Sequence, residues 1–387
     1  MKGMGSMRKL LVACMLLAGP SAFAARVFDS SLRLTAEGRY DDDFRAGDPG
    51  TAPGTGGQFM SKLSPRLGLE MKDPLSTGEA FYAADVLMRY GSGNTTLDHR
   101  AGVDLRQTLT RRMRLELSGR FFRVTDPTSL PRQGMPRSRA PILYGQAKVA
   151  ATGRVTPRLD LRAGYAFEGA SVDEPGREPG YVHTPSIEAW YRSTRRLSLG
   201  LEYRYQGFLY GSEFSDAHGA FAGLRYRLTR LTAVTVRGGP VFYDGGNGPS
   251  GVLPRVSVEL AREGELFDLG LLAGHDLVGA SGFTNTLWAD YASLVMARRF
   301  SERLSVYGAG SYFRNGRAPG QGVFSLGGSA EVSQGYAVGG GVDYRLSRYL
   351  TLQAAVDRIA QVGNGEAADG VDLTRNVAAV RMMITAW

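Results

Sequence analysis

Apolar and polar residues alternate one by one along most of this chain. In one stretch, Leu199, Leu201 and Tyr203 alternate with Glu202 and Arg204. Successive side chains of a β-strand point to opposite sides, so this alternation predicts a strand with one apolar and one polar face. The pattern therefore predicts an all-β protein with strands that are apolar on one side only.

Eighteen segments show this alternation. They are predicted as strands over 31–40, 60–72, 80–90, 97–109, 112–124, 142–155, 158–168, 180–192, 196–207, 218–228, 231–242, 251–261, 265–275, 284–298, 302–313, 334–346, 349–359 and 374–387. The alternation is least regular in 180–192 and 265–275.

The connections between these segments alternate between long and short. The long ones are rich in Gly, Pro and polar residues and include 41–59, 125–141, 169–179, 243–250, 314–333 and 360–373. The short ones carry a repeat that begins with a hydroxyl residue and a basic residue: "LTRRMRLEL" at Leu109, "VTPRLDL" at Val155, "STRRLSL" at Ser193, "LTRLTAV" at Leu228, "FSERLSV" at Phe300 and "LSRYLTL" at Leu346. We expect the hydroxyl to accept hydrogen bonds from the turn backbone, and the arginine stem to lie on apolar surface.

An even number of strands joined by alternating short and long connections is typical of an outer-membrane β-barrel. The bilayer interior has no water to satisfy an open sheet edge, so such a sheet must close. We predict a transmembrane antiparallel β-barrel of about 18 strands, with short periplasmic turns and longer extracellular loops. A soluble β-sandwich is the alternative, but it would turn its apolar faces inward and usually be shorter or divided into domains.

The two ends of the chain have the patterns of an export signal and of a barrel-assembly signal. Residues 1–24 have a basic entry, a short apolar run and an Ala-Phe-Ala end, as in a cleaved signal peptide. The barrel is then predicted over 25–387, without cysteine, since Cys14 lies in the leader. The aromatic terminus Trp387 is predicted to be the signal that the barrel-assembly machinery reads, with a bulge restoring the alternation before it.

Charge narrows the choice of partners. The net charge of +9 falls to +6 once Lys2, Arg8 and Lys9 leave with the leader, and the remaining charges are mixed in sign along the chain. No basic block suggests a nucleic-acid surface. Outer-membrane lipid is the expected surrounding of the apolar face.

The polar faces of the strands are predicted to line a lumen. The candidate basic residues are Arg66, Arg89, Arg100, Arg106, Arg114, Arg120, Arg162, Arg204, Arg225, Arg237, Arg255 and Arg345, and the candidate acidic residues are Asp85, Asp98, Asp104, Glu116 and Glu202. One interpretation is that opposite charges neutralise each other across strands and brace the wall. The other is that some arginines form a ladder for sugar hydroxyls or acidic groups. The sequence leaves both open.

Catalysis is not indicated. The four histidines, His99, His183, His218 and His275, lack metal-ligand spacing, and no G-x-S-x-G motif is present. We expect no enzyme activity, no metal and no cofactor.

A family resemblance adds a function to the pore. The segment from "LSPRLGLEMKDP" to "GRFFRVTDP", with Pro65, Tyr82, Tyr90, Asp98-His99 and the basic turn at Thr110, resembles the β-barrel porins of bacterial exopolysaccharide operons. It covers about residues 60–127. The resemblance implies passage of a secreted polysaccharide, with a periplasmic polysaccharide export protein and inner-membrane components supplying the drive.

Two other functions stay open on the sequence. A general or solute-selective diffusion porin fits the same strand pattern, and so does a structural barrel whose lumen is filled. The loops 125–141 and 314–333 are predicted to fold inward or cover the mouth.

Overall fold

The computed structural model of the chain describes residues 27–42, 57–90, 93, 95–125, 141–173, 178–246, 250–278, 287–317, 331–363 and 373–386. These residues form eighteen strands, one for each segment predicted from the alternation. The strands are β1 Val27–Asp41, β2 Gln58–Asp73, β3 Ser76–Arg89, β4 Thr95–Thr110, β5 Met113–Val124, β6 Ile142–Thr156, β7 Leu159–Val172, β8 Gly180–Arg192, β9 Leu197–Tyr210, β10 Glu213–Arg227, β11 Thr232–Asp244, β12 Gly251–Arg262, β13 Phe267–Val278, β14 Leu287–Arg299, β15 Leu304–Arg317, β16 Glu331–Arg345, β17 Leu350–Gly363 and β18 Leu373–Ala386. No helix in the described ranges is long and apolar enough to cross a membrane.

The sheet closes on itself. Each strand pairs antiparallel with its neighbours in the chain, and β1 also pairs with β18, from Leu32 opposite Ala386 to Asp41 opposite Val377. The described strands therefore form a closed antiparallel barrel of eighteen strands, as the sequence predicted. Closure leaves no strand at an edge, which is what a lipid surrounding requires.

The outer surface of the barrel is apolar. On β9 the outward positions are Leu197, Leu199, Leu201, Tyr203 and Tyr205, and Leu201 is 69% exposed. A side chain of this kind faces water only at a large free-energy cost, whereas lipid accommodates it. The outward positions of β3, β6, β7 and β9 carry no charged residue. This face is the lipid-facing surface.

The repeated hydroxyls hold the short turns as the sequence predicted. The side-chain oxygens of Thr110, Thr156, Thr194, Thr229, Ser301 and Ser347 each accept hydrogen bonds from backbone N–H groups two or three residues further along the chain. In the last of these turns the guanidinium of Arg348 lies 4.5 Å from the Tyr349 ring centroid. We call this end of the barrel the short rim and the opposite end the long rim.

Two details differ from the predictions. The connection predicted over 208–217 is mostly strand, because β9 and β10 continue to a tight turn at Gly211, where φ is +56°. Glycine adopts this conformation without a Cβ clash. The bulge expected near the C-terminus is absent from β18, whose pairing runs without interruption up to Ala386. The leader 1–24, Trp387 and most of the loops 125–141 and 314–333 lie outside the described residues.

The outward position of Leu201 gives a stability prediction. We expect Leu201→Arg to lower the free energy of unfolding in lipid vesicles by about 1–3 kcal/mol. The position lies in the apolar band between mid-bilayer, where an arginine costs about 2–4 kcal/mol, and the interface, where it costs about 0–1 kcal/mol. Arg114→Gln is the matched control, because that inward and exposed side chain faces the lumen and its loss should change stability little. Urea unfolding of both variants provides the comparison. Equal losses would show that the two faces are assigned incorrectly.

The orientation of the barrel is a second prediction. We expect a cysteine placed at Ser212, on the long rim, to react with a membrane-impermeant maleimide on intact cells. A cysteine at Arg348, on the short rim, should react only after lysis, because short turns of such barrels face the periplasm. The reverse labelling pattern would mean that the barrel is inserted the other way.

Candidate pore lining

The inner wall differs between the two ends of the barrel. Toward the long rim, inward-facing side chains are packed against one another and almost fully buried. Phe208, Val241 and Asn315 are 0–1% exposed. Phe208 and Val241 belong to the first of two apolar clusters of buried residues. The first comprises Phe208, Tyr210, Ala217, Phe221, Val241, Tyr243 and Leu277, and the second comprises Val124, Ile142, Tyr144 and Ala170. This half of the wall therefore presents little surface to water.

Toward the short rim, the inward side chains are charged and exposed. Asp104 and Arg162 each keep close to half of their side-chain surface accessible. Arg120 forms an ion pair with Asp104, and the Arg162 guanidinium lies 3.4 Å from the Glu116 carboxylate. Exposed pairs of this kind contribute little to stability, so they leave these charges available to passing solutes.

Between the two halves lies a network of charged groups on β9, β11, β12 and β13. Glu202 accepts a hydrogen bond of 2.6 Å from Arg204 and lies 3.7 Å from both Arg237 and Arg255. Asp276 lies 2.7 Å from Arg255 and 3.6 Å from Arg204. Three guanidinium groups thus share two carboxylates, and the network carries a net positive charge.

An aromatic ring on the inner wall is held by glycine and arginine. The Trp190 indole lies over Gly200 and Gly223, where an added Cβ would come within 2.9 Å of the ring. The guanidinium carbon of Arg225 lies 4.4 Å from the ring centroid, and that of Arg237 lies 5.5 Å away. Glycine is needed at these two positions because any side chain would displace the indole from the wall.

The same arrangement recurs elsewhere on the wall. The Phe81 ring lies over Gly102, with the Arg66 guanidinium 4.0 Å and the Arg120 guanidinium 5.8 Å from its centroid. The Phe221 ring lies between Arg255, at 4.4 Å, and Arg204, at 5.6 Å. Each ring fixes the direction of two arginines through cation–π contact, which lowers the entropy cost of presenting guanidinium groups.

All the residues predicted from the sequence to line the lumen occupy inward positions in the register. The structure brings Arg204, Arg237, Arg255 and Glu202 together in the network, and Arg100 with Asp85 at 2.8 Å. Of the predicted residues, Asp85, Asp98, Glu202 and Arg255 are less than 9% exposed and do not contact open water. The network does not include Arg89, Arg106, Arg114 or Arg345, although these arginines also point inward.

The aromatic members of the lining were not predicted. Phe81, Trp190 and Phe221 occupy polar-phase positions of their strands, and this departure from the alternation was the available signal. Within the described ranges no three His, Cys, Asp or Glu side chains come together as a metal site. The lining can therefore act on a solute by charge, hydrogen bonding and stacking.

Comparison with known proteins gives a fold likeness only. No protein-family model matches the chain, and no curated protein matches it. Among solved structures, OccK2 (OpdF) of Pseudomonas aeruginosa is 11% identical with a TM-score of 0.47, over 93% of this chain and 99% of that chain. OccAB4 of Acinetobacter baumannii is 11% identical with a TM-score of 0.45, over 92% and 98%. OpdK of Pseudomonas aeruginosa, described as an outer membrane protein, is 13% identical with a TM-score of 0.44, over 93% and 99%.

These likenesses do not extend to a substrate. None of them links the chain to exopolysaccharide operons, so that resemblance stays a prediction. The closed sheet, the largely apolar outer face and the polar lining are features of the molecule itself. The protein is an eighteen-stranded β-barrel that crosses the outer membrane of a Gram-negative cell many times.

The charge network gives a prediction about ion selectivity. We expect Glu202→Gln to make a pore in a planar bilayer more selective for anions, because the network would lose one of its two carboxylates while keeping three guanidinium groups. It should also lower stability by about 1–3 kcal/mol, since a buried partner of a charged group is lost. The reversal potential in a salt gradient measures the first effect. Glu263→Gln, in an exposed turn of the short rim, is the control and should leave the potential unchanged.

Proposed function

We propose that this chain is a passive pore through which small hydrophilic solutes diffuse across the outer membrane. The observation that carries the proposal is the asymmetry of the inner wall. One half has exposed charges, and the other half is packed with buried side chains. A solute that passes such a wall meets a wide charged entrance and then a narrower path.

The packed half argues against a wide conduit along the whole barrel. A closed sheet of eighteen strands is wide enough for a water-filled channel if its inner side chains face water. Here Tyr144, Tyr210, Tyr243 and Phe313 point inward near the long rim and are all less than 9% exposed. Their burial reduces the open cross-section, which favours small solutes over a hydrated polymer.

The chemistry of the charged half fits polar solutes of either charge. Guanidinium groups of Arg66, Arg120 and Arg225 lie on aromatic rings and keep a fixed direction. The Asp104 carboxylate pairs with Arg120, and the Glu116 carboxylate lies 3.4 Å from the Arg162 guanidinium. Weak contacts of both signs let a solute move on, whereas a single tight site would retain it.

Export of a polysaccharide is the second candidate function. The sequence block at 60–127 favours it, through its resemblance to exopolysaccharide porins. The open charged half also faces the side from which a secreted polymer would arrive, if the short rim is periplasmic. In this case the packed half would have to rearrange for the polymer to pass.

Liposome swelling tests the first function. We expect vesicles containing the purified barrel to swell in monosaccharide and disaccharide solutions and not in dextran, and single channels to conduct in steady steps. Empty vesicles and vesicles with heat-unfolded protein are the controls. A barrel that folds, as shown by heat-modifiable migration, but neither conducts nor admits monosaccharide would contradict the diffusion pore.

A deletion strain separates the two functions. Loss of surface polysaccharide, with synthesis intact and with recovery on return of the gene, would favour export. Normal surface polysaccharide together with slower uptake of small solutes would favour diffusion.

A further inference from the structure

All four histidines of the chain lie on the outer surface of the barrel. They are His99 on β4, His183 on β8, His218 on β10 and His275 on β13, each within a few residues of the long-rim end of its strand. Each occupies an outward register position: His99 lies opposite Ala84, for instance, and His218 opposite Tyr205. Charged residues also occupy outward positions near this level, among them Asp216, Asp290, Arg314 and Arg358. The partners of each histidine therefore decide what it can bind.

Three of the histidines are held in the same way. The Nδ1 atoms of His99, His183 and His218 lie 2.7 Å from the hydroxyl oxygens of Tyr82, Tyr165 and Tyr203, respectively. In each case the tyrosine is on the preceding strand of the same hairpin, and the histidine lies two residues nearer the long rim than the residue paired with that tyrosine. When the hydroxyl donates to Nδ1, the ring proton is on Nε2, which becomes a donor directed away from the tyrosine.

The second ring nitrogen divides the histidines into two groups. The Nε2 of His218 lies 3.3 Å from the Asp216 carboxylate. In His275 both nitrogens are engaged, Nδ1 by Asp290 and Nε2 by the Trp288 indole N–H. Across the described ranges, no protein group bonds the Nε2 of His99 or of His183. These two donors face outward without a carboxylate.

The surroundings of the two free donors favour an anion. Arg123, which is outward and exposed, lies directly opposite His99 in the register of β4 and β5. His183 contacts the Phe167 ring, with 5.2 Å between centroids, and Tyr181 is its neighbour on the same face. A donor in a partly apolar setting binds a charged acceptor more strongly than it would in open water.

The height of these groups places them at the lipid–water boundary. From the short-rim turn at Thr194 to Tyr203 the strand rises about 23 Å along the barrel axis, taking a rise of about 3.3 Å per residue and a tilt of about 40°. The apolar band of such barrels is about 25 Å tall and ends in aromatic girdles. The tyrosines therefore mark the end of the acyl chains nearer the long rim, and the histidines lie among the headgroups.

We propose that His99 with Arg123, and His183, bind the phosphate groups of lipid headgroups in the outer leaflet. The Nε2–H groups and the guanidinium donate to phosphate oxygens, while the Tyr82 and Tyr165 hydroxyls fix the imidazole rings. His218 and His275 have their own carboxylates and do not bind phosphate. The lipid site does not depend on which solute the lumen passes.

Spin-labelled lipids test this site. The barrel is placed in phosphatidylcholine vesicles with either spin-labelled phosphatidic acid, which carries a phosphate monoester, or spin-labelled phosphatidylcholine. The motionally restricted fraction of each label measures lipid at the protein surface. We expect the wild-type barrel to prefer phosphatidic acid over phosphatidylcholine by about threefold, because exposed charged contacts give a preference of this size. The double variant His99→Phe, His183→Phe should lose this preference.

The chain supplies a matched control. The double variant His218→Phe, His275→Phe removes the same number of histidines from the same level and should keep the preference. Arg123→Gln, which leaves every Tyr–His pair intact, should lower it. Heat-modifiable migration confirms that each variant is folded. Absence of a preference in wild type, or equal loss in both double variants, would overturn the proposal.

Discussion

The structure depends on one constraint, which is that lipid offers no hydrogen bonds to the backbone. Every N–H and C=O group of a spanning strand must be paired within the protein, and only a closed sheet achieves this with strands. The pairing of β1 with β18 completes the ring. Closure then fixes which way each side chain points, because alternation along a strand leaves only lipid on one side and the lumen on the other.

The inner wall shows how a barrel arranges large groups on a curved surface. Arginine and tryptophan need room that neighbouring strands, about 4.8 Å apart, do not leave if every position has a side chain. Gly200 and Gly223 provide that room for Trp190, and Gly102 provides it for Phe81. The abundance of glycine in the chain therefore has a partly local reason: it lets aromatic rings lie flat and lets arginines from the next strands reach them.

The packed inner wall near the long rim and the histidines on the outer surface both depend on contacts between different strands. Tyr210 and Tyr243 are on strands that are not neighbours, and they come together in one cluster only because the sheet curves. The Tyr82–His99 bond needs two strands in one register. A single-strand pattern contains neither the curvature nor the partner, although Asp98-His99 was already notable as part of a family-like block.

The sequence by itself determined the strand number, the turns held by Thr194 and Ser347, and the face on which each strand carries its charges. These features depend only on alternation along a strand and on neighbours within a few residues. Only the tertiary structure decided which charges meet, that Glu202 and Arg255 are buried while Asp104 and Arg162 stay exposed, and that the rings of Trp190 and Phe221 lie between arginines. The reason is distance along the chain. Burial and ion pairing depend on strands that are tens of residues apart in the sequence and that closure of the sheet brings side by side.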